Sequence, residues 1–232
     1  MPRGDHKGLL YTLCQLIGRH IMWASLRVKV LRPQMAERSG PYILALTHLS
    51  HLDPFIASFL LRRPIDWMAR VEFFRYHIFD AFMNSVDAIC VRRFGVSANA
   101  ARQAIQRLRS GRIVGICPEG GVAQGPNSVM RGAPMKHGIC LISTRSAAPI
   151  LPCIMLGTDK LNCVAPWIPF RRGRLYVAFG SKLVVPPRMS GNESRAERRA
   201  IWQKIAEELS REYQVLFKET MERFGIEEGF IP

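Results

Sequence analysis

The chain has 232 residues, 48% of them hydrophobic, and a formal net charge of +15 from 33 Lys and Arg against 18 Asp and Glu. This length and apolar content exclude an intrinsically disordered protein and allow a core that needs no disulfide or metal to fold. The charge indicates an anionic partner: nucleic acid, an anionic membrane or a phosphate-bearing substrate. The six cysteines form no C-x-x-C pair, which favours buried, reduced thiols in a cytosolic protein.

The first predicted element is an amphipathic helix at residues 8–26, where apolar residues recur at helical spacing. Because Gln15, Arg19 and His20 interrupt it, and because it lacks a cleavage site, we predict neither a transmembrane span nor a signal peptide. Two placements stay open. The apolar face inserts into a membrane surface while Arg19 and Lys7 face water or headgroups, or the helix packs on the core.

Short apolar runs and helix-like segments then alternate along the chain. The predicted strands are Tyr42–Thr47, Ile65–Ala69, Asp87–Val91, Arg112–Cys117, Ile150–Leu156 and Arg174–Phe179. The predicted helices are Leu52–Leu61, Val71–Asn84, Ala98–Leu108, Pro134–Thr144 and a C-terminal helix. This alternation predicts an α/β fold with a largely parallel central sheet flanked by helices. We assign residues 1–35 to the N-terminal amphipathic segment and 36–232 to the α/β domain.

The C-terminal helix is the clearest of the predicted helices. Ser190 and Glu193 fit the capping box S-x-x-E. An apolar stripe follows, formed by Ile201, Ile205, Leu209, Tyr213 and Leu216. Charged residues cover the opposite face, so we predict a solvated helix packed on the core, with a membrane or partner surface as the alternative.

Catalytic chemistry is indicated first by His48 and Asp53, which lie between a predicted buried strand and a predicted helix. Sites in open α/β sheets form at the carboxyl ends of strands. A histidine there can take a proton from an alcohol, and a carboxylate five residues later can orient the imidazole. Asp53 and Ser50 also suit helix capping, which is a structural alternative. His48, His51 and Asp53 could instead bind a metal, although no acidic cluster completes that site.

Two further motifs follow strands. The string Pro118–Gly121 (PEGG) directly follows a predicted buried strand, and its glycines permit tight turns and close approach of a ligand. Free amides in such a loop can hold phosphate, whereas a buried Glu119 requires a partner. Arg92 and Arg93 follow another strand and could hold a phosphate, or they are solvated surface charges.

Taken together, these motifs resemble the PlsC-like family of glycerol-phosphate and lysophosphatidate acyltransferases. The family blocks N-H-x-S-x-x-D, G-x-[IL]-x-[IV]-x-R, F-P-E-G-T-R and V-P-[IV]-x-P are similar to residues 47–53 (THLSHLD), 87–93 (DAICVRR), 117–122 (CPEGGV) and 148–152 (APILP). The four matches occur in the family's order and span residues 42–157. Each is weak alone, but four in order are specific.

The resemblance implies a reaction in which acyl-CoA or acyl carrier protein donates a fatty chain to a glycerolipid hydroxyl. It implies His48 as the base, Asp53 as its orienting partner and Arg93 as a ligand of the acceptor phosphate. Glu119 and Gly120 would position the glycerol-phosphate part of the acceptor, and Ser50 belongs to the substrate-binding block. No metal, cofactor or covalent acyl-enzyme is implied, and the protein is expected on the cytoplasmic face of an anionic membrane.

Three departures from the family pattern bear on the expected function. Gly121 and Val122 replace a Thr-Arg pair whose arginine commonly helps to bind acceptor phosphate, and Arg131 or Lys136 could supply the missing charge. Asp87 replaces a glycine, and Thr47 replaces an asparagine. We therefore expect acylation of lysophosphatidate to phosphatidate, with acylation or transacylation of a diester lysophospholipid as the alternative.

A non-catalytic basic module that binds nucleic acid or membrane is a further alternative. The sequence lacks both the aromatic-and-basic pattern of an RNA-binding sheet and a helix-turn-helix pattern. We therefore expect no nucleic-acid partner.

Overall fold

The computed structural model describes residues 9–74, 83, 86–91, 98–161, 173–187, 189 and 192–230. Within these ranges the chain forms one seven-stranded sheet in the order β1-β7-β6-β2-β5-β3-β4. The strands are β1 Leu26–Leu31, β2 Tyr42–Leu46, β3 Ile65–Arg70, β4 Ile89–Val91, β5 Ile113–Ile116, β6 Ile150–Leu156 and β7 Gly173–Phe179. Neighbouring strands run parallel except β6 and β7, which are antiparallel.

Helices cover both faces of this sheet. They are α1 Leu9–Ser25, α2 Asp53–Leu60, α3 Ala98–Arg109, α4 Gly138–Ser146 and α5 Arg195–Phe224. On β2, Ile43 and Ala45 face a core shared with α3, α4 and α5. Tyr42, Leu44 and Leu46 alternate with them and face a second core shared with α1 and α2. Because both faces are covered, every residue of β2, β5 and β6 is buried, as in other parallel sheets.

The predicted α/β architecture, with a mostly parallel sheet flanked by helices, is confirmed. One strand was not predicted: residues 26–31 follow α1 without a turn and pair in parallel with β7. This strand lies inside the segment 1–35, so part of that segment belongs to the main sheet. The division at residue 35 stays a prediction.

Two element boundaries were wrong. The helix predicted at Pro134–Thr144 begins only at Gly138, because the Lys136 amide first donates a 2.8 Å hydrogen bond to the Pro118 carbonyl. The capping box is formed by Ser194 and Glu197 rather than by Ser190 and Glu193. For the predicted helix Val71–Asn84, the structure gives a 3₁₀ turn at Val71–Phe74, and most of the rest lies outside the described residues.

The turn before β4 shows how the chain accommodates an aspartate where the family has glycine. Asp87 has a left-handed backbone with φ of 58°, a conformation that glycine adopts freely. Its carboxylate contacts Arg107 at 2.8 Å and Arg112 at 2.5 Å, and Arg112 also contacts the buried Asp66 at 2.6 Å. Asp87 therefore keeps the turn and adds ion pairs that join β3, α3 and the start of β5.

Candidate active site

The candidate site lies at the carboxyl end of the central strand β2. The Thr47 amide donates to the Cys153 carbonyl at 3.1 Å, and the Thr47 hydroxyl accepts from the Met155 amide at 3.2 Å. Both bonds join β2 to β6 just before the chain leaves the sheet. His48 therefore directly follows a residue that is fixed at the end of a strand, where α/β sheets place their sites.

The structure brings His48 and Asp53 together. His48 Nδ1 lies 3.2 Å from Asp53 Oδ2, and the His48 side chain is 14% exposed whereas that of Asp53 is 0% exposed. With the proton on Nδ1, the imidazole donates to the carboxylate and keeps Nε2 available as a proton acceptor. This arrangement matches the histidine–aspartate half of a catalytic triad.

Backbone amides hold the Asp53 carboxylate in place. Oδ2 accepts from the Leu49 amide at 2.7 Å and from the Ser50 amide at 2.8 Å. The Ser50 hydroxyl accepts from the Leu52 amide at 3.2 Å. Asp53 thus ties the turn that precedes α2, and no side chain caps the helix at its N-cap, Leu52. The prediction that Asp53 or Ser50 caps the helix is therefore wrong, because both side chains bind backbone amides of the preceding turn instead.

Glu119 lies in the loop that follows β5, close to His48. Its Oε1 is 3.5 Å from the Ser128 hydroxyl, and its buried Oε2 has no hydrogen-bond partner among the described residues. Burial raises the pKa of Glu119 from 4.5 to about 7, although backbone hydrogen bonds at Glu119 and Val129 and the nearby His48 act in the opposite direction. Near neutral pH this carboxyl can therefore gain or lose a proton.

Gly120 and Gly121 bring an unpredicted cation to the site. The Gly120 carbonyl accepts a 2.6 Å hydrogen bond from Arg70 Nη2. A Cβ at Gly121 would overlap the same guanidinium, so glycine permits this close approach. Gly120 also has φ of 73°, which favours glycine. Sequence reasoning missed Arg70, although it lies one residue beyond a predicted strand, at the same edge of the sheet.

The other candidate cations divide into three cases. The Lys136 side chain lies beside Gly120, where a Cβ would be 3.3 Å from its Cγ. The Arg131 guanidinium instead lies over the Phe217 ring, 5.8 Å from its centroid, against α5. Arg93, which the sequence predicts as a phosphate ligand, lies outside the described residues, as does Arg92.

The residues that directly follow Gly121 and Val122 are bound to the His48 turn. The Ala123 amide donates to the His48 carbonyl at 2.8 Å, and Gln124 Nε2 donates to the Leu49 carbonyl at 3.3 Å. Val122 is 42% exposed and lines the cavity described next. The loop after β5 and the turn after β2 are therefore hydrogen-bonded to each other, and Val122 lies beside them in the cavity wall.

A cavity of about 440 Å³ adjoins His48. Its wall includes His48, His51, Arg70 and Gly120, together with apolar side chains from β3 and α2. Trp67 is one of them; its ring lies against β5 where a Cβ at Gly115 would overlap it. This volume is typical of small-molecule sites, and the lining suits a ligand with one polar end and one apolar chain.

Helix α1 forms part of the same cavity wall and has an unusual orientation. Its polar side chains Gln15 and Arg19 point inward and bind carbonyl groups of α2. Its exposed large apolar side chains are between 49% and 56% exposed: Leu13, Leu16, Ile17, Ile21 and Trp23. The prediction that Arg19 faces water or headgroups is therefore wrong, because the protein itself binds its guanidinium. No helix in the described ranges is long and apolar enough to cross a bilayer.

His51 lies beside His48, with 6.0 Å between the ring centroids. Among the residues that the structure describes, no group of three or more His, Cys, Asp or Glu side chains is arranged to hold a metal ion. His48 and Asp53 are instead bonded to each other and to the turn.

Comparisons with known proteins show the family and the fold that this chain is similar to. A family model described as "Acyltransferase" matches residues 27–156. The chain is 23% identical over 175 residues to the 1-acyl-sn-glycerol-3-phosphate acyltransferase of Bacillus subtilis, covering 75% of this chain and 82% of that protein. It also resembles the crystal structure of the 1-acyl-sn-glycerophosphate acyltransferase PlsC from Thermotoga maritima. That match has a TM-score of 0.59 and 18% identity, and it covers 87% of this chain and 79% of the other.

Proposed function

The chain belongs to the acyltransferase family, whose model matches residues 27–156 of its 232, and from this premise we propose that it acylates the free hydroxyl of lysophosphatidate to give phosphatidate. The donor is acyl-CoA or acyl carrier protein, and neither a metal nor an organic cofactor takes part. The observation that carries the proposal is the His48–Asp53 pair beside an apolar cavity.

The proposed reaction needs one proton acceptor and no protein nucleophile. His48 Nε2 takes the proton of the acceptor hydroxyl while that oxygen attacks the thioester carbonyl. The carbon–sulfur bond then breaks, and the departing thiolate receives the proton from the imidazolium. Asp53 holds the tautomer and stabilises the imidazolium, and its own position is fixed by the amides of Leu49 and Ser50.

The acyl chain occupies the cavity, and the acceptor headgroup lies at its polar end. Arg70 supplies a cation there, and the Lys136 stem lies beside Gly120. Guanidinium groups bind phosphate oxygens through paired hydrogen bonds, which makes Arg70 a phosphate ligand in this proposal. Glu119 and Gly120 position the glycerol part, and Arg93 remains a proposed further phosphate ligand.

We also propose that the protein works on the cytoplasmic surface of an anionic membrane. The support is the apolar outward side of α1 together with the net charge of +15. An amphipathic helix of this kind lies in the interface with its apolar side among the lipids.

A second acceptor class is favoured by Val122. This exposed apolar residue takes the place of the family arginine at the cavity wall, which suits a diester lysophospholipid. A panel that compares lysophosphatidate with lysophosphatidylcholine decides between the two acceptors, and preference for the choline lipid would assign the second function.

The test of the mechanism is transfer of a radiolabelled acyl group from acyl-CoA to lysophosphatidate. We expect His48→Ala and Asp53→Ala to abolish transfer while the circular dichroism spectrum stays that of the native protein. His137→Ala is the matched control, because it removes an exposed imidazole outside the cavity wall and leaves the pair intact. Full activity of His48→Ala would overturn the mechanism.

A further inference from the structure

Helix α2 begins at Asp53 and ends against α1. The carbonyl groups in the last turn of a helix have no partner inside that helix. Here Gln15 Nε2 donates to the carbonyls of Ser58 at 2.8 Å and Leu61 at 2.7 Å. Arg19 Nε donates to the Phe59 carbonyl at 2.9 Å, and Arg19 Nη2 to that of Leu61 at 3.3 Å. A cation at this end also suits the helix dipole.

Close contact reinforces these hydrogen bonds. A Cβ at Gly18 would overlap the Phe59 ring, so glycine lets α1 approach α2 at this point. Farther along the same side of α1, the Tyr11 hydroxyl accepts from the Ile65 amide at 3.3 Å. Positions 11, 15, 18 and 19 share one side of a helix with the buried Met22, so polar contacts on this side add to the packing of α1 on the core.

The held side of α1 also closes the cavity. Tyr11, Cys14 and Gln15 line it, and Phe59 lines it from α2. Because these side chains belong to the wall, displacement of α1 would open the cavity on that side. The opposite side of α1 is apolar and exposed, so the side chains on that outward side do not hold the helix on the protein.

We propose that Gln15 and Arg19 are positioning residues for the acyl donor. They hold α1 on the end of α2 and so keep the outer wall of the cavity in place around a long acyl chain. This inference rests on the proposed function, because it requires that the cavity binds the acyl group. Arg19 touches no reacting atom and acts through the position of α1.

The consequence is a dependence on donor chain length. A butyryl group is too short to need the distant wall, whereas a palmitoyl group fills the apolar cavity. Arg19→Ala removes two hydrogen bonds from a charged donor, and we expect the ratio of kcat/KM for palmitoyl-CoA to that for butyryl-CoA to fall by about tenfold. Turnover of butyryl-CoA should stay at the wild-type level, which also shows that the variant is folded.

The experiment uses the full chain in detergent micelles with saturating lysophosphatidate, so that membrane docking does not limit the rate. Arg19→Lys keeps the charge and can still donate to these carbonyls, so it should recover part of the ratio. Arg199→Ala removes one exposed cation from α5 and should leave the ratio unchanged. Gly18→Ala provides a second, independent variant: it pushes α1 away from Phe59 and should lower the ratio as well.

The outcomes separate the inference from the function on which it rests. If the wild-type protein transfers no acyl group from either donor, the proposed function fails. If the wild-type protein is active and both Arg19→Ala and Gly18→Ala keep its palmitoyl-to-butyryl ratio, the function stands and the inference is overturned. An equal loss with both donors would mean that the contact serves only the stability of the fold, and this too overturns it.

Discussion

The carboxyl group of Glu119 is buried beside His48, and burial raises its pKa to about 7. In the unfolded chain the same group titrates near its ordinary value of 4.5. Between these values the native protein holds a proton that the unfolded chain has released. The free energy of unfolding therefore falls as the pH rises from about 4.5 through about 7.

Glu119→Gln should remove this loss, since the amide stays neutral. We expect the variant to exceed the wild type in free energy of unfolding at about pH 8 by on the order of 1–3 kcal/mol, with a smaller difference at about pH 5. Urea denaturation at both pH values measures it. Glu227→Gln, at an exposed position, should show no such trend. If Glu119→Gln changed the free energy of unfolding equally at both pH values, the raised pKa of Glu119 would be contradicted.

Arg70 is a cation that lies directly against the two glycines of the site. If it binds the acceptor phosphate, Arg70→Ala should lower kcat/KM for lysophosphatidate by about tenfold or more, through a higher KM. Arg102→Ala removes an exposed cation from α3 and controls for net charge. Steady-state kinetics at fixed acyl-CoA decide the matter, and an unchanged KM in Arg70→Ala would exclude phosphate binding by this residue.

Among the connections between elements, the turn at Asp87 combines a left-handed backbone with two ion pairs. Glycine at this position would keep the backbone and lose the ion pairs, whereas alanine would lose the ion pairs and strain the backbone. We expect Asp87→Ala to be less stable than Asp87→Gly by about 1 kcal/mol in urea denaturation. Equal stabilities would show that the turn relaxes away from the left-handed conformation.

How far the elements could be predicted depends on how local their signals are. The buried strands and the amphipathic helices were predicted because their periodicity lies within each segment. The C-terminal capping box was misplaced because Ser190 and Ser194 are each followed three residues later by glutamate. Strand β1 was missed because no glycine or proline separates it from α1. The position of the capping box and the start of β1 both depend on contacts with neighbouring elements of the fold.

For the residues of the site, too, a contact could be predicted only where both partners lie close together in the sequence. The contact between His48 and Asp53 was predictable, since the two residues lie only five positions apart in the sequence. The positions of Arg70 and of the wall formed by α1 were not predictable, because their partners lie between 40 and 50 positions away along the chain. Only the folded sheet and helices bring such partners together.

For the molecule as a whole, the outward apolar side of α1 and the net charge of +15 act on the same proposed partner. Burying apolar side chains in the lipid interface favours docking, and lysine and arginine near an anionic surface add to it. Docking should therefore weaken both when the apolar side is made polar and when salt screens the charge.

The double variant Leu16→Ser and Ile17→Ser should bind vesicles of phosphatidylglycerol and phosphatidylcholine at least about tenfold more weakly, because two exposed apolar side chains are lost. Co-sedimentation measures this affinity. Thr12→Ser lies on the same helix, leaves the apolar side intact and should bind like the wild type. Wild-type affinity in the double variant would assign docking to another surface.

The inward polar side of α1 has a practical consequence for solubility engineering. Truncation before residue 26 is an obvious way to remove exposed apolar surface, yet it would also remove the groups that cover the end of α2. The carbonyls of Ser58, Phe59 and Leu61 would then lose the partners supplied by Gln15 and Arg19. Polar replacements at the outward positions are the better route, since they lower aggregation and leave the anchored side untouched.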